Sequence, residues 1–337
     1  MANIVNPNGI TTLNDPFFKG VKQPPPAPEL LLLKSGNDWL IEGEKLPPLK
    51  FYLSELLTEG DCTIVYGEPN AAKTLFGVQT ANSIANGTSV EPFVNDNKAQ
   101  VTMYVDCELN IRQFTTRYAG IRFSQNFYRC ELNPDYEPAN FEAEIISQIE
   151  AQAIKIGAKV VFVDNITWLL NETEKGSDAG KLMKALLKLK NRLNITMVVI
   201  AHTPKRSGTD PLGLKDIAGS SRLGNFTTSA IAIGKSIKDE HLRYIKCTKT
   251  RNTANEHGSE NIAVFEISKN DAGVVGLEFI EYDSERNHLM ELPEKKRLEE
   301  IEVIKDMYLR GATQREIAET QGCSLGKVNN IIKKIKK

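Results

Sequence analysis

Cys62–Gly87, CTIVYGEPNAAKTLFGVQTANSIANG, is the stretch from which the rest of the chain is read. Its apolar run Ile64-Val65-Tyr66 predicts a buried strand. A glycine turn follows at Gly67, then Lys73-Thr74. Leu75, Val78, Ala81 and Ile84 then recur at helical spacing up to Asn86-Gly87. Strand, Gly-x-x-x-x-small-Lys-Thr, helix is the layout of a phosphate-binding loop. Backbone N–H groups of residues 68–74 are expected to wrap nucleotide phosphates, aided by the positive end of the helix. The expected cradle is Gly67, Glu68, Pro69, Asn70, Ala71, Ala72, Lys73, Thr74 and Leu75. Lys73 would reach the β- and γ-phosphates, and the Thr74 hydroxyl would hold Mg²⁺.

Ala72 departs from the usual motif, which has glycine before the lysine. A helix-like backbone at 72 is compatible with alanine, although its Cβ tightens the approach of a phosphate. On that reading glycine at 72 adds backbone entropy and costs up to about 1 kcal/mol with no catalytic gain. The competing interpretation is a surface turn between strand and helix that happens to contain Lys-Thr.

The chain has 337 residues, 41% of them apolar and 25% charged, the proportions of an ordinary globular protein. With a net charge of −1, no global field draws it to nucleic acid, so any such binding must come from local patches. Five scattered cysteines without a C-x-x-C spacing argue for reduced thiols rather than a disulfide framework or zinc site. The N-terminus lacks a basic-then-apolar signal and no run reaches membrane-spanning length, so a cytoplasmic protein with no membrane contact is expected.

Residues 1–48 read as an arm or linker. Asn, Gly and Pro dominate its start, 23–28 form a stiff Pro-rich segment, and Leu30–Leu33 is apolar enough to pack on its own core or on another subunit. Residues 49–290 alternate strand and helix patterns, which argues for an α/β fold with a mostly parallel sheet covered on both faces. Strands are expected at 101–105, 159–164 and 196–201, with helices at 141–156 and 181–192. Four later strands, at 230–234, 242–248, 262–267 and 274–282, are expected to be antiparallel.

Three strand ends carry candidate chemistry. Asp164 closes the apolar run KVVFVD and would sit beside Thr74 to hold Mg²⁺ through water. Glu108, in YVDCE, is the candidate to orient or deprotonate the attacking water, with Asp106 in reserve. His202, ending VIAH, could hydrogen-bond the γ-phosphate and pass its loss to the following loop. Each has a blander reading as a cap, a solvated strand end or a structural histidine. That all three follow a phosphate-binding loop raises the functional one.

The ordered set GEPNAAKT, YVDCE, VVFVDN, VIAHT, IAGSSRLGNFTTSAIAIG and KCTKTRN resembles the RecA-like ATPases over roughly residues 50–282, and most nearly hexameric helicases of the plasmid RepA and replicative DnaB kind. The resemblance implies an α/β RecA-like P-loop core with ATP and Mg²⁺. It implies that His202 senses the γ-phosphate, and that loops 168–180 and 205–221 line a channel and contact single-stranded DNA. It also implies that Lys249 and Arg251 reach a neighbouring subunit's nucleotide in a homo-oligomer, a hexamer. Loop 205–221 offers Gly, Ser and Pro for mobility and Lys205, Arg206 and Lys215 for phosphates. Trp168 could stack on a base, but packing under the site is the stronger reading.

Residues 291–337 read as a separate helical unit. Thr313 can cap a helix with Ile317 and Ala318 inside, Gly322 turns the chain, and Ser324 caps a second helix carrying Val328, Ile331 and Ile335. This resembles the DNA-binding helix-turn-helix of resolvases and sigma-factor-like regulators. It implies duplex contacts from Ser324, Lys327, Asn329 and Lys333; a docked helical hairpin with a solvated basic tail is the alternative. The expected whole is a ring-forming, ATP-dependent DNA motor, a replicative helicase of a plasmid, phage or other mobile element. An ATP-switched DNA-binding regulator or a recombinase-like filament protein would carry many of the same motifs.

Overall fold

The computed structural model describes residues 31–171, 179–204, 206, 208–217, 221–269, 273–290 and 293–335. The first half of the chain contains α1 (Gly36–Gly43), β1 (Phe51–Leu53), β2 (Leu57–Thr58), β3 (Cys62–Gly67), α2 (Lys73–Asn86), β4 (Thr102–Asp106), α3 (Ile111–Arg117), β5 (Phe127–Glu131) and α4 (Phe141–Ile156). Then come β6 (Val160–Asp164), α5 (Ile166–Asn171), α6 (Ala179–Leu193), β7 (Thr196–His202), α7 (Ser221–Asn225) and β8 (Ser229–Lys235). The remainder is β9 (Leu242–Lys249), β10 (Ile262–Lys269), β11 (Val275–Asp283), α8 (Pro293–Leu309), α9 (Gln314–Thr320) and α10 (Leu325–Ile335).

Two compact units divide at Pro48 and Leu49. In the first, Ser35 caps α1 by accepting from the Asp38 N–H at 3.1 Å. Lys34 pairs with Glu42 at 2.5 Å and lies 4.6 Å from the centre of the Trp39 ring.

The second unit is built on a nine-stranded sheet of order β11-β10-β9-β8-β3-β7-β6-β4-β5. From β5 to β8 every neighbouring pair is parallel. Strands β9, β10 and β11 add an antiparallel edge. This is the α/β RecA-like P-loop core that the motif order implies. Residues 230–234, expected to be antiparallel, instead form a parallel neighbour of β3, with Ile64 opposite Ala230 and Tyr66 opposite Ala232. The chain reaches that position by crossing over through α7, and the antiparallel edge begins one strand later.

Alternation along the strands builds two cores. Ile64, Tyr66, Val161, Val163 and Val199 face α4 and α6, whose Ile149 and Leu186 are buried. Val65, Phe162, Val198 and Ile200 face the other way, onto Phe76, Val78 and Ile84 of α2. Buried on both faces, the central strands read as continuous apolar runs. Gly77 lets α2 press on the sheet: a Cβ there would stand 2.8 Å from Ile200 Cδ1 and 2.9 Å from the Tyr104 hydroxyl.

Helices α8, α9 and α10 pack on one another around Ile304, Ile317, Val328 and Ile332. Thr313 and Glu316 form a reciprocal capping box at the start of α9. Gly322 turns the chain with φ +58°, and Ser324 accepts from the Lys327 N–H at 3.3 Å. The side chains of Lys334, Lys336 and Lys337, at the basic end of the chain, lie outside the described residues, as do residues 1–30 of the arm.

Candidate nucleotide site

The parallel strands bring their C-terminal ends to one edge of the sheet, where β3 runs into residues 67–72 and then α2. Lys73 is 5% exposed, and its ammonium donates to the Gly67 and Glu68 carbonyls, both at 2.9 Å. Burial lowers its pKa to about 8, against the opposing pull of Asp164 and Glu108. Gly67 is required sterically, since a Cβ would lie 2.3 Å from the Ile233 carbonyl oxygen. The Glu68 carboxylate accepts from the Arg206 N–H at 3.2 Å, joining this loop to the segment after β7.

The backbone at Ala72 is left-handed, φ +70° and ψ +24°, not helix-like as the sequence suggested. Asn70 also has positive φ, +62°. Asparagine tolerates that region and alanine does not, because its Cβ meets the following carbonyl. The loop therefore keeps the geometry of a glycine with an alanine in place.

Asp164 is 2% exposed and ends β6 on the neighbouring side of β7. It accepts a hydrogen bond from the Tyr104 hydroxyl at 2.7 Å and a second from Thr74. Burial raises its pKa to about 6, while those two hydrogen bonds act in the other direction. The peptide between Asp164 and Asn165 is cis. A hydroxyl and a carboxylate in contact are the hard oxygen donors that suit Mg²⁺. Among the described residues no cluster of three or more His, Cys, Asp or Glu forms a cage. A cation held by one or two protein oxygens and by phosphates fits that donor set.

Glu108, Asn165 and His202 converge across the ends of β4, β6 and β7. Asn165 Nδ2 donates to Glu108 Oε1 and lies 3.0 Å from His202 Nε2, which is 3.2 Å from the same Glu108 oxygen. The His202 hydrogen bond, with Asn165 and Lys73 adding to it, holds the Glu108 carboxyl below its usual range against burial. Asn165 itself is fully buried, and its Oδ1 accepts from the Trp168 N–H at 2.7 Å. Its place in VVFVDN marked it as part of a motif, but no spacing rule distinguishes an amide ligand from a turn residue there.

Asp106 is not a second base. Its Oδ1 accepts from the Glu108 and Leu109 N–H groups at 3.1 and 2.9 Å, and its Oδ2 pairs with Arg129 Nε at 2.9 Å. With both oxygens committed, it holds the turn that carries Glu108. Arg129 also pairs with Glu131 at 2.7 Å and donates to the Leu109 carbonyl, so it clamps that turn from β5. The sequence offered no signal for it, since residues 127–131 were not among the expected strands.

Residues 26–208, more than half of the chain, match the family described as AAA domain. The chain belongs to that family. Its match takes in the phosphate-binding loop and the ends of β4, β6 and β7. A KaiC-like protein of the hyperthermophilic archaeon Pyrococcus horikoshii OT3 aligns over 68% of this chain and 100% of its own, with 17% identity and a TM-score of 0.49. Among curated proteins no match is found.

Other candidate residues lie away from the loop, several of them beyond the matched residues 26–208. Strand β9 runs antiparallel to β8, and Lys249 pairs with Ala230 near the N-terminal end of the parallel strands. Lys249 donates to the Gly224 and Thr227 carbonyls, both at 2.6 Å. Arg251 follows and is exposed. At 3.3 Å per residue it is roughly 15 Å along the strand direction from its own Gly67. Trp168 packs edge-on against Phe141, with ring centres 5.9 Å apart. Arg206 Nη1 lies 3.7 Å from Asp216, and Lys215 is exposed in a short 3-10 turn. Lys205 and most of loop 168–180 lie outside the described residues. On the C-terminal helices Lys327 pairs with Glu300 at 2.7 Å, Lys333 is exposed and Asn329 is half-buried. No described helix is long and apolar enough to cross a membrane.

The left-handed backbone at 72 reverses the expectation from sequence. Ala72→Gly should stabilise the nucleotide-free protein by about 1 kcal/mol, because it removes a Cβ from a conformation glycine adopts freely. Urea unfolding measures this; a loss of stability would show that the loop adopts another conformation in solution.

Proposed function

We propose that this AAA domain hydrolyses ATP and that hydrolysis drives movement on DNA. In this reading it is a ring-forming helicase of a plasmid, phage or other mobile element, a hexamer. The observation that carries the hydrolytic part is the Glu108 carboxylate, aimed by Asp106 and Arg129 and joined to Asn165 and His202 one strand from Lys73 and Asp164. Residues 67–74 would bind the phosphates, with Lys73 exchanging two backbone carbonyls for phosphate oxygens. Thr74 and Asp164 would hold Mg²⁺, which when bound supplies positive charge to the phosphates. Glu108, kept ionised by its neighbours, would accept the proton of the attacking water. His202 would exchange its contact with Glu108 for the γ-phosphate, and loop 205–221 would follow it onto single-stranded DNA.

A ring is supported by position. Arg251 projects from the sheet edge opposite its own Gly67, where it cannot serve its own nucleotide but could complete that of a head-to-tail neighbour. An arginine supplied in this way accelerates phosphoryl transfer in GTPases by on the order of 10³–10⁵. Residues 291–337 would act as a separate helix-turn-helix on duplex DNA, with Ser324, Lys327, Asn329 and Lys333 on its contact face. An ATP-switched regulator shares every one of these features except strand displacement.

Strand displacement on forked DNA, run beside ATPase rates with and without single strands, tests the proposal. Glu108→Gln should keep ATP binding and lose turnover, whereas Lys73→Ala should lose both. Near-normal turnover in both variants would end the hydrolytic reading, and DNA-stimulated turnover without displacement would favour the regulator.

Arg251→Ala should bind ATP and hydrolyse it poorly. Mixed with Lys73→Ala after subunit exchange, it should regain a modest fraction of activity, since about one interface in four then joins two intact halves. Full activity of Arg251→Ala alone would remove the trans-acting arginine.

A protein lacking residues 293–337 should retain its basal ATPase and lose most duplex binding, and the binding of the full chain should fall steeply with salt. Unchanged duplex affinity in the shortened protein would assign α8–α10 to packing.

A further inference from the structure

The side of the phosphate loop away from Glu108 and His202 carries two cations that no acid pairs with among the described residues. Strand β8 lies against β3 so closely that the Ile233 carbonyl fills the space a Gly67 side chain would need. Two residues later β8 ends at the exposed Lys235, level with the beginning of the phosphate loop. Directly across the ladder on β9 is Arg243. Like charges opposite one another on a sheet are destabilising, so this pairing needs a reason.

Arg243 sharpens the question. Its side chain is buried, with the residue 8% exposed. Its Nη1 donates to the Glu240 and Leu242 carbonyls at 2.7 and 2.8 Å, and its Nη2 donates to the Asn70 carbonyl, within the phosphate loop, at 3.2 Å. Its Nε has no partner among the described residues, and neither Arg243 nor Lys235 joins any of their ion pairs. Glu68, the acid within the loop, is turned to the Arg206 N–H instead. Buried guanidinium groups are ordinarily paired, because desolvating the charge is expensive. Lys235 is also near enough to Lys73 to act against its protonation. Three cations, Lys73, Lys235 and Arg243, thus lie along one edge of the loop, an arrangement that suits an anion.

We propose that Lys235 and Arg243 form a second wall of the nucleotide site, facing the phosphates that remain after hydrolysis. Lys235 contacts them directly, and Arg243 is a positioning residue that holds the loop through Asn70. This rests on reading residues 67–75 as a nucleotide cradle. The sides follow from strand order: Glu108, Asn165 and His202 lie on the β7 side of β3, where the transferred phosphate must be attacked. Lys235 and Arg243 lie on the β8–β9 side. Affinity for the product is then set by residues that take no part in bond breaking.

The test is nucleotide titration of the full chain carrying Lys235→Ala, Arg243→Met or Arg243→Lys, beside urea unfolding without nucleotide. Lys235→Ala should weaken ATP and ADP equally, by about tenfold, the worth of one charge-assisted hydrogen bond. Its ADP affinity should also respond less to salt than that of the wild type. Arg243→Met should weaken both nucleotides while its nucleotide-free stability stays level or rises, since an unmatched buried charge has gone. Arg243→Lys should recover part of the affinity. A purely structural Arg243 would lose stability and affinity together, and that result overturns its role. Unchanged affinity in a folded Lys235→Ala, or a loss confined to ATP, overturns the placement of the wall. A wild-type chain that binds neither nucleotide removes the cradle itself, a failure distinct from the other two.

Discussion

The Lys73 ammonium is almost wholly buried, and the Gly67 and Glu68 carbonyls accept its protons. Everything at this edge of the sheet is arranged around keeping that charge in place. Gly67 must be glycine because β8 is pressed against it, and that contact sets the position of the carbonyl Lys73 reaches. Gly77 must be small so that α2, which begins at Lys73, can lie on Tyr104 and Ile200. Tyr104 in turn holds Asp164, whose negative charge offsets part of the penalty for burying Lys73. A phosphate brought here would meet a lysine already aimed and already stripped of water. The binding interaction therefore needs little reorganisation.

The sheet separates two chemistries by its two edges. Parallel strands deliver Gly67, Asp106, Asp164 and His202 to one edge because each ends where its neighbour ends. The antiparallel β9 is the exception that matters: it begins beside the phosphate loop with Arg243 and finishes at the far edge with Lys249. One strand thus carries a cation at each edge, and which of them faces the chain's own loop follows from direction alone. Reversing the sense of β9 would exchange their places.

How much of this was legible in the sequence depended on whether a local pattern carried the information. The loop, Asp164, Glu108 and His202 could be read because each is a polar residue closing an apolar run, and strand ends share an edge. The parallel pairing of β8 could not be read, because a short apolar strand looks the same in either sense and the choice was made by the crossover through α7. Nor could Arg129, whose partner Asp106 is far from it in the chain and meets it only through the pairing of β4 with β5. Asn165 was quoted within a motif, yet its role depends on an amide reaching two residues from other strands. The left-handed backbone at Ala72 was misread for a different reason: residue identity argued against it, and the geometry of the loop prevailed over the preference of one alanine.

Buried charge then divides the molecule into scaffold and site. Lys246 and Glu285 are both almost inaccessible and pair at 2.5 Å, and Glu285 also accepts from the Leu212 N–H and the Tyr244 hydroxyl. Arg129 and Asp106 pair at 2.9 Å; Asp106 also accepts from backbone N–H groups, and Arg129 also pairs with Glu131 and donates to the Leu109 carbonyl. Both sets are closed: donors and acceptors match, and a ligand could enter only by breaking a pair. Lys73 and Arg243 are different, since their partners are neutral carbonyls and no carboxylate pairs with either among the described residues. A carbonyl satisfies the geometry of a cation without cancelling its charge, so the desolvation penalty is only partly offset. Sequence composition treats these four cations alike. Their partners do not, and the two that no carboxylate contacts directly among the described residues flank the same six-residue loop.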